Sequence, residues 1–401
     1  MTEAFIYDAL RTPRGDGKPS GALYEIRPIQ LLYITLQSLQ QRHQLDTSLV
    51  DDVLIGCVSP TDDQGSNLAK AAVMYAGWDL GVGGMTINRF CASGLEAVNL
   101  AAMKVRSGWD SLIVAGGVES MSRVPMGSDM GPLLYDPEVI QTINYIPQGV
   151  SADLIATRDG FSRNDLDQYA CESYERVRVA RAENRFGQSI VPIYDQNGLL
   201  ILEEDELLHP DTHLADLEAL PPAFADYGDW GFDHMARIQY PEVARVIPMH
   251  TAGNSSRMVD GAALVLIGNQ EQGTAAGLKA RARIRSAATV SVEPTIMLTG
   301  SVPAARKALE RAGMSAKDID LWECNEAFAS AVLHFQRDMN VPSDRLNVNG
   351  GAIALGHPLG ATGAMQIGTL LDELERQNLS TGLVTLCVGG GMGVATIIER
   401  V

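Results

Sequence analysis

The chain has 401 residues, of which 46% are hydrophobic and 20% are charged, so it is long enough to bury a large core and to form two or three domains. The formal net charge of −18 at pH 7 argues against nucleic acid or an anionic membrane as the main partner, because both require a basic surface. The five cysteines are scattered and lack CxxC spacing, which favours free thiols over a disulfide framework or a zinc site. The sequence shows neither an apolar run long enough to span a membrane nor a signal-peptide pattern, so we expect a cytoplasmic protein.

The first chemically suggestive segment lies between a predicted strand and a predicted helix. Residues 85–88 form a short strand-like run, and Arg-Phe-Cys-Ala-Ser-Gly follows at 89–94. A buried cysteine is usually an inert small apolar residue, but Cys91 would lie at a helix N-terminus, where unpaired N–H groups favour a thiolate and lower the thiol pKa. The helix is predicted to end at Gly108 after one apolar face, formed by Leu95, Val98, Ala102 and Val105.

The region from about 125 to 248 departs from the pattern on either side of it. It begins with a Pro-Met-Gly turn at 125–127, and it contains a polar helix predicted from about 163 to 185 and an acidic run at 203–206. Residues 225–231 combine turn composition with two aromatic side chains, which is typical of a surface excursion. We interpret residues 126–248 as an inserted loop domain.

The rest of the chain contains an internal duplication. Residues 4–9 resemble 282–287, residues 49–57 resemble 317–324, and the run through Cys91 resembles the run from 346 through His357. In both copies strand-like runs alternate with helical periodicity, which predicts mostly parallel sheets covered by helices. The predicted domains are an N-terminal half (1–125 and 249–277), the loop domain (126–248) and a C-terminal half (278–401).

Three polar groups of the second copy complete a set suited to acyl transfer. His357, in a Gly-His-Pro turn, could accept the proton of Cys91, although a lone histidine is more often structural. Cys387 ends a strand before three glycines at 389–391 and could point into the same cleft at the strand carboxyl ends. Asn325 could hold a water molecule or an oxyanion, or could instead cap a helix. Thioester exchange needs a soft nucleophile, a base, a second proton carrier and N–H donors for the oxyanion.

These segments resemble the four motifs of the thiolase family. The matching segments are Cys-Ala-Ser-Gly at Cys91, Asn-Glu-Ala-Phe-Ala at Asn325, Gly-His-Pro at His357 and Cys-Val-Gly-Gly-Gly-Met-Gly at Cys387. The resemblance covers essentially the whole chain and is strongest for bacterial 3-ketoacyl-CoA thiolases of fatty-acid β-oxidation. It implies an α/β, thiolase-like duplicated five-layered α-β-α-β-α fold with an inserted loop domain. It also implies CoA as a substrate, no metal or redox cofactor, a homodimer or homotetramer, and a β-oxidation multienzyme complex as a further candidate partner.

The resemblance implies a role for each residue of the site. Cys91 would attack the 3-keto group, His357 would accept its proton, and Cys387 would protonate the leaving acetyl-CoA enolate and then deprotonate incoming CoA. One oxyanion hole would comprise His357 and a water held by Asn325, and the second would comprise the backbone N–H groups of Cys91 and Gly389. The residues expected to contact CoA or the acyl group are Ala252, Ser255, Ser256, Phe328 and Gln148.

Two departures from the family pattern bear on the substrate. Short-chain biosynthetic thiolases typically carry His-Met-Gly where this chain has Pro-Gln-Gly at 147–149, and this difference disfavours an acetoacetyl-CoA specialist. Residues 225–246 exceed the short link of the simplest members and could shape a longer acyl channel or a protein contact. The alternatives left open are a short-chain acetyl-CoA C-acetyltransferase and, less favoured, a ketosynthase-like enzyme or a non-catalytic lipid-binding protein.

Overall fold

The computed structural model describes residues 2–206 and 212–401. Its strands are β1 (Phe5–Arg11), β2 (Gly15–Asp16), β3 (Asp52–Gly56), β4 (Met85–Ile87), β5 (Leu112–Ser120), β6 (Ile193–Tyr194), β7 (Leu200–Leu202), β8 (Val259–Gly268), β9 (Ala282–Ser291), β10 (Leu321–Cys324), β11 (Thr381–Val388) and β12 (Met392–Arg400). Its α-helices are α1 (Pro28–His43), α2 (Leu68–Tyr75), α3 (Ser93–Ser107), α4 (Pro132–Tyr135), α5 (Pro137–Thr142), α6 (Gln148–Asp159), α7 (Arg163–Ala182), α8 (Leu214–Glu218), α9 (Ala225–Asp229), α10 (Phe232–Gln239), α11 (Gln270–Ala275), α12 (Ser301–Ala312), α13 (Ala329–Met339), α14 (Ala352–Leu355) and α15 (Thr362–Arg376). Among the described residues, no helix is both long and apolar enough to cross a bilayer.

The strands form two similar half-sheets that meet at β1 and β9. The N-terminal half has the order β1-β8-β5-β3-β4, with β2 paired to β8, and the C-terminal half has the order β9-β12-β11-β10. The two halves join through the antiparallel pairs Phe5 with Arg283 and Ile6 with Ala282. Strand β3 runs parallel to β5, and β10 runs parallel to β11. The predicted duplication is therefore visible in the topology.

The prediction of mostly parallel sheets is wrong, because both half-sheets are mixed. Strand β8 runs antiparallel to both β1 and β5, and β12 runs antiparallel to both β9 and β11. In the C-terminal half a tight turn joins β11 directly to β12, and such a turn can connect only antiparallel neighbours. In the N-terminal half the corresponding connection is the long insertion between β5 and β8.

The two half-sheets and the helices between and outside them form five layers. Helices α3 and α15 pack against each other and against strands of both halves, and they form the middle of the core. Helices α1 and α2 cover the other face of the N-terminal half, and α12 and α13 cover the other face of the C-terminal half. This arrangement confirms the α-β-α-β-α prediction and brings the N-termini of the two middle helices together.

Two of the local predictions are confirmed by helix boundaries. Helix α3 ends where Gly108 takes a left-handed conformation with φ of 79°, a backbone shape that glycine adopts without strain. Helix α7, the predicted polar helix, begins after Ser162, whose hydroxyl accepts the N–H of Asp165. The insertion between β5 and β8 contains α4 to α10, and its predicted limits at 126 and 248 stay a prediction.

Candidate active site

Cys91 lies in a tight turn immediately before α3. The Asn88 side chain accepts the N–H of Phe90 at 2.8 Å, and the Ser93 hydroxyl accepts the N–H of Arg89 at 2.8 Å and donates to the Phe90 carbonyl at 2.6 Å. These bonds hold Phe90 at φ of 45°, a left-handed conformation that costs a non-glycine residue about 1–2 kcal/mol. The strained turn presents Cys91, only 6% exposed, at the start of the helix.

The N-termini of α3 and α15 touch each other through glycine. A Cβ atom at Gly94 would lie 2.6 Å from the carbonyl oxygen of Gly360, so a larger residue could not keep this approach. Leu359, in the same loop as Gly360, packs against Cys91 in a small apolar cluster. The His357 loop of the second half is thereby brought beside the Cys91 turn of the first, as the duplication predicts.

Glu119 ties this loop to the N-terminal half-sheet. Its buried carboxylate accepts N–H groups from Gly360 at 2.9 Å, Val58 at 2.9 Å and Ser59 at 3.1 Å, and it accepts the Gln64 side-chain amide at 2.9 Å. Burial raises the pKa of Glu119, and these donors oppose the shift. The carboxylate therefore holds the loop that contains His357 against the N-terminal half-sheet.

His357 follows the short helix α14, so the resemblance to the run through Cys91, in which a strand comes before the cysteine, does not extend to the secondary structure. The chain between β10 and α15 makes only a single parallel bridge, Trp322 with Leu346, where the first half has β4. The Asn347 side chain replaces the backbone hydrogen bonds that a neighbouring strand would make. It accepts the Cys324 N–H at 2.8 Å and donates to the Cys324 carbonyl at 2.9 Å.

The hydrogen bonds of His357 define its tautomer. The Thr362 hydroxyl donates to the Pro358 carbonyl at 3.0 Å, so it must accept from His357 Nδ1, which lies 2.6 Å away. The proton is therefore assigned to Nδ1, and the lone pair is on Nε2, which lies 3.3 Å from Asn325 Nδ2. Burial, together with the positive charge of Arg14, lowers the pKa of His357 to about 3. The imidazole is neutral and its Nε2 can accept a proton.

Asn325 lies just beyond the end of β10. Its backbone N–H continues the pairing with Thr385 of β11 at 3.0 Å. Its Oδ1 atom is buried and has no hydrogen-bond partner within the described part of the chain. A buried amide oxygen with a free acceptor position beside His357 can take a hydrogen bond from a water molecule or a ligand.

Cys387 lies near the end of β11, directly before the glycine-rich turn. The turn is tight because β11 and β12 pair up to Val388 with Met392, and Gly390 and Gly391 have φ of 77° and 79°. Cys387 is 2% exposed. Burial, with a smaller effect of charge on Cys91, raises the pKa of Cys387 to about 12. It is therefore a neutral thiol that can donate a proton, and it lies close enough to Cys91 to sense its charge.

The sulfur of Cys91 interacts with groups from two other segments. The backbone N–H of Gly389 and the side chain of Gln148 lie beside it and act to lower the pKa of the thiol. Burial nevertheless raises the pKa of Cys91 above its ordinary value, so the expectation of a lowered pKa is wrong for the free protein. A thiolate in this enclosed position loses its hydration, and the N–H donors recover only part of that loss. A base is needed to ionise Cys91.

The residues predicted to contact CoA form a second group, and the neighbouring chain segments position most of them. The Ser256 N–H donates to the Ala327 carbonyl at 2.9 Å, and Ser255 bridges to Phe328. The Ser255 hydroxyl is buried and has no partner among residues 2–206 and 212–401, whereas Ala252 is exposed at the outer end of the segment. The arrangement brings Ser255, Ser256 and Phe328 together; their contact with CoA stays a prediction.

Sequence reasoning missed Thr362, Tyr145 and the contact between Gln148 and Cys91. Thr362 lies in the first turn of α15, and a hydroxyl five residues after a histidine in such a loop is a detectable signal. Tyr145 lies near the nucleophile. Burial, together with the charge of the nearby Cys91, raises the pKa of the Tyr145 hydroxyl to about 12. No local motif marks Tyr145. The Pro-Gln-Gly segment at 147–149 marks Gln148 as a substrate contact but not as a neighbour of Cys91, because the insertion brings it there.

Comparison with known proteins gives a consistent match along the chain. A family model described as the thiolase N-terminal domain matches residues 4–230, and one described as the thiolase C-terminal domain matches residues 278–400. The chain is 39% identical to a 3-ketoacyl-CoA thiolase of Shewanella loihica and 38% identical to a 3-oxoadipyl-CoA/3-oxo-5,6-dehydrosuberyl-CoA thiolase of Escherichia coli, with 100% of each chain covered. The crystal structure of the Bacillus anthracis acetyl-CoA acetyltransferase is similar with a TM-score of 0.85 and 32% identity, covering 100% of this chain and 99% of that one.

Proposed function

The chain belongs to the thiolase family of acyltransferases, and we propose that it cleaves 3-ketoacyl-CoA with CoA to give acetyl-CoA and a shortened acyl-CoA. The observation that carries the proposal is the convergence of two thiols on one turn. The N–H of Gly389 lies beside the Cys91 thiol, and Cys387 lies near enough to Cys91 for the charge of Cys91 to raise the pKa of Cys387. A pair of neighbouring thiols, one nucleophilic and one acidic, suits carbon–carbon bond cleavage through a thioester.

In the first half-reaction Cys91 becomes acylated. His357 Nε2 accepts the proton of the Cys91 thiol, and the sulfur adds to the 3-keto carbon of the substrate. The bond between C2 and C3 then breaks, its electron pair forms the enolate of acetyl-CoA, and Cys387 protonates the enolate carbon. Acetyl-CoA leaves, and the shortened acyl group remains on Cys91.

In the second half-reaction CoA takes the acyl group. The Cys387 thiolate accepts the proton of the CoA thiol, and the CoA sulfur attacks the carbonyl carbon of the acyl-Cys91 thioester. The Cys91 thiolate leaves and recovers its proton from His357. This ping-pong sequence uses CoA as a substrate and needs no metal or redox cofactor.

Two sets of donors support the oxyanions that form in these steps. The backbone N–H groups of Cys91 and Gly389 serve the oxygen of the acyl group attached to Cys91. His357 and a water held by Asn325 serve the thioester oxygen of the acetyl-CoA enolate. The geometry that supports this assignment is the 3.3 Å approach of Asn325 Nδ2 to His357 Nε2 and the buried Oδ1 of the same asparagine, which has no hydrogen-bond partner among the described residues.

We favour medium or long acyl chains because apolar and aromatic side chains extend away from the site. Cys387 and Phe328 belong to a cluster that also includes Tyr227 and Phe232 from residues 225–246. The runner-up is an acetoacetyl-CoA thiolase, and the similarity to the Bacillus anthracis acetyltransferase favours it. The relative from Escherichia coli acts, by its name, on dicarboxylic 3-oxoacyl groups, so a third substrate class belongs in the test.

The experiment is the rate of CoA-dependent thiolysis across 3-ketoacyl-CoA substrates from four to sixteen carbons, with 3-oxoadipyl-CoA included. We expect kcat/KM to rise toward medium or long chains. Activity confined to acetoacetyl-CoA would identify a short-chain acetyltransferase, and activity confined to 3-oxoadipyl-CoA would identify a dicarboxylate enzyme. Absence of thiolysis with every substrate would overturn the proposed function.

The same proposal includes a cytoplasmic homodimer or homotetramer, alone or in a β-oxidation complex. The support for assembly is β4, a free edge of the sheet among the described residues, whose Met85 is 39% exposed. An unpaired edge can pair with another chain.

A further inference from the structure

Gln148 occupies the first position of α6 and reaches into the site from the insertion. A Cβ atom at Gly389 would lie 3.0 Å from Gln148 Nε2, so the amide nitrogen lies directly over the glycine-rich turn. The same side chain lies beside the Cys91 thiol and acts to lower its pKa, as does the N–H of Gly389. Two N–H donors, one from the backbone and one from a side chain, therefore converge on the nucleophile.

The packing around α6 holds this side chain in place. The next residue, Gly149, is buried under the ring of Phe224, and a Cβ there would lie 2.3 Å from the ring carbons. Phe224 in turn packs edge-on against Phe328, with centroids 5.8 Å apart. The first turn of α6 is thus packed against Phe224, which contacts Phe328, and this packing fixes the backbone from which Gln148 projects.

The chemistry of sulfur decides which end of the amide contacts Cys91. A thiolate accepts hydrogen bonds and donates none, so only the Nε2–H group can stabilise it. Nε2 is also the end that lies beside Gly389. Hydrogen bonds to an ionised acceptor are about twice as strong as bonds between neutral groups, so this contact gains strength as Cys91 ionises.

We propose that Gln148 is a positioning residue for the nucleophile: its side-chain N–H and the Gly389 N–H together orient the Cys91 sulfur and stabilise its thiolate. The inference rests on the proposed function, in which Cys91 is acylated. When the Cys91 proton passes to His357 Nε2, the electron pair stays on sulfur and Gln148 keeps its own protons. Once sulfur bonds to the acyl carbon, the amide is released from its charged acceptor.

The other groups around Cys91 do not supply this stabilisation from a side chain. The charge of Glu119 on β5 raises the pKa of Cys91, and Cys387 on β11 and Tyr145 before α6 are acids whose own pKa values are raised. His357, on the loop before α15, is the base. Gln148 is neutral and does not titrate, so a change at this position acts on Cys91 without adding a titration of its own.

The test is the rate at which iodoacetamide alkylates Cys91 as a function of pH, in the full-length protein without CoA or substrate. Mass spectrometry of the Cys91 peptide locates the modification. Gln148→Met keeps the side-chain length but removes the donor, and we expect about tenfold slower alkylation at neutral pH and an upward shift of about one unit in the Cys91 pKa. Gln148→Glu places a carboxylate beside the thiolate and should shift the pKa further.

The matched control is Gln141→Met on α5, the same substitution at an exposed position, which should alkylate as the unmodified protein does. Circular dichroism checks that each variant folds, and either of the two Gln148 variants suffices for the test. Profiles of Gln148→Met and Gln148→Glu that coincide with that of the unmodified protein would overturn the inference. Unchanged alkylation with a raised KM would overturn it as well, by assigning Gln148 to substrate contact alone. Because alkylation needs no substrate, its outcome is independent of whether the protein shows thiolysis.

Discussion

Two neutral side chains, Thr362 and His357, set the direction in which protons move in the site. The Thr362 hydroxyl oxygen lies 2.6 Å from His357 Nδ1 and accepts its proton, which leaves Nε2 as the acceptor. Burial and the charge of Arg14 keep the imidazole neutral by lowering its pKa to about 3. A neutral imidazole with a defined tautomer can take a proton from a buried thiol without a prior change of charge.

Thr362→Val keeps the shape of the side chain and removes the acceptor for the Nδ1 proton. We expect kcat to fall about tenfold or more, because the orphaned donor costs about 1–3 kcal/mol and His357 loses its fixed orientation. KM should change little. The measurement is steady-state thiolysis, with Thr362→Ser expected to restore most of the rate.

The control for this variant is Thr274→Val, the same substitution at an exposed position of α11, which should leave kcat unchanged. Full activity of Thr362→Val would show that the hydroxyl does not set the tautomer.

Of the four acidic residues at 203–206, Asp205 is buried and the other three are exposed. Asp205 is 8% exposed and binds Arg11 through both carboxylate oxygens, at 2.7 and 2.9 Å, and it also accepts the Arg14 N–H at 2.8 Å. Burial raises its pKa, but the charges of Arg11 and Arg14 outweigh this effect and lower the pKa to about 2. The run binds β1 through the Asp205 carboxylate, and the Glu206 carboxylate accepts the backbone N–H of Asp16 in β2 at 2.7 Å.

Asp205→Asn should lower the free energy of unfolding by about 3 kcal/mol, because it leaves buried arginine charge uncompensated. The exposed neighbour provides a matched control, since Glu203→Gln should have little effect. The folded-state pKa of Asp205 lies below the ordinary value of 3.8, so its stabilising contribution is complete above that pH and is lost as the pH falls toward 2. Thermal unfolding midpoints measured from pH 7 to pH 2 should therefore converge for the two forms; a constant difference would contradict the assignment.

At the scale of elements, residues 225–246 form two short helices that extend a row of aromatic rings from the site. Phe328 contacts Phe224, Phe224 contacts Tyr227 with centroids 6.3 Å apart, and Tyr227 contacts Phe232 at 6.3 Å. Tyr240 fixes the far end, since its hydroxyl donates to Glu293 at 2.8 Å. This row gives the excursion a direct route to the acyl side of the site.

Tyr227→Ala and Phe232→Ala should each change the ratio of kcat/KM for a twelve-carbon substrate to that for acetoacetyl-CoA by about tenfold, the effect of altered apolar contact in a binding pocket. Ile238→Ala is the control, because Ile238 lies in the same excursion and is 63% exposed. An unchanged ratio in both aromatic variants would assign the excursion to another role, such as a protein contact.

The extent of sequence prediction also differs from element to element. The repeated runs around Cys91 and His357 were sufficient to predict two similar halves, because strand and helix periodicity is local. The antiparallel course of β8 and β12 was not predictable in this way, since it depends on connections of very different length. The burial of Asp205 and the contact of Gln148 with Cys91 depend on partners far away in sequence, and no local pattern encodes them.

For the whole molecule, the site exists only where three parts of the chain meet. The N-terminal half supplies Cys91, the C-terminal half supplies His357, Asn325 and Cys387, and the insertion supplies Gln148. Close packing of the α3 and α15 N-termini at Gly94 holds the first two parts together. The duplication thus explains the shape of the site: equivalent turns of two half-sheets face each other, and each has acquired a different chemical group.

The central claim, an acyl-Cys91 intermediate, is tested most directly by mixing the protein with a medium-chain 3-ketoacyl-CoA in the absence of free CoA and quenching with acid. Mass spectrometry should find the shortened acyl group on the Cys91 peptide, with an equal amount of acetyl-CoA released, and addition of CoA should remove the label. The Cys91→Ala protein should carry none. Cleavage of the substrate without an acyl group on Cys91, or with the label on another residue, would contradict the account.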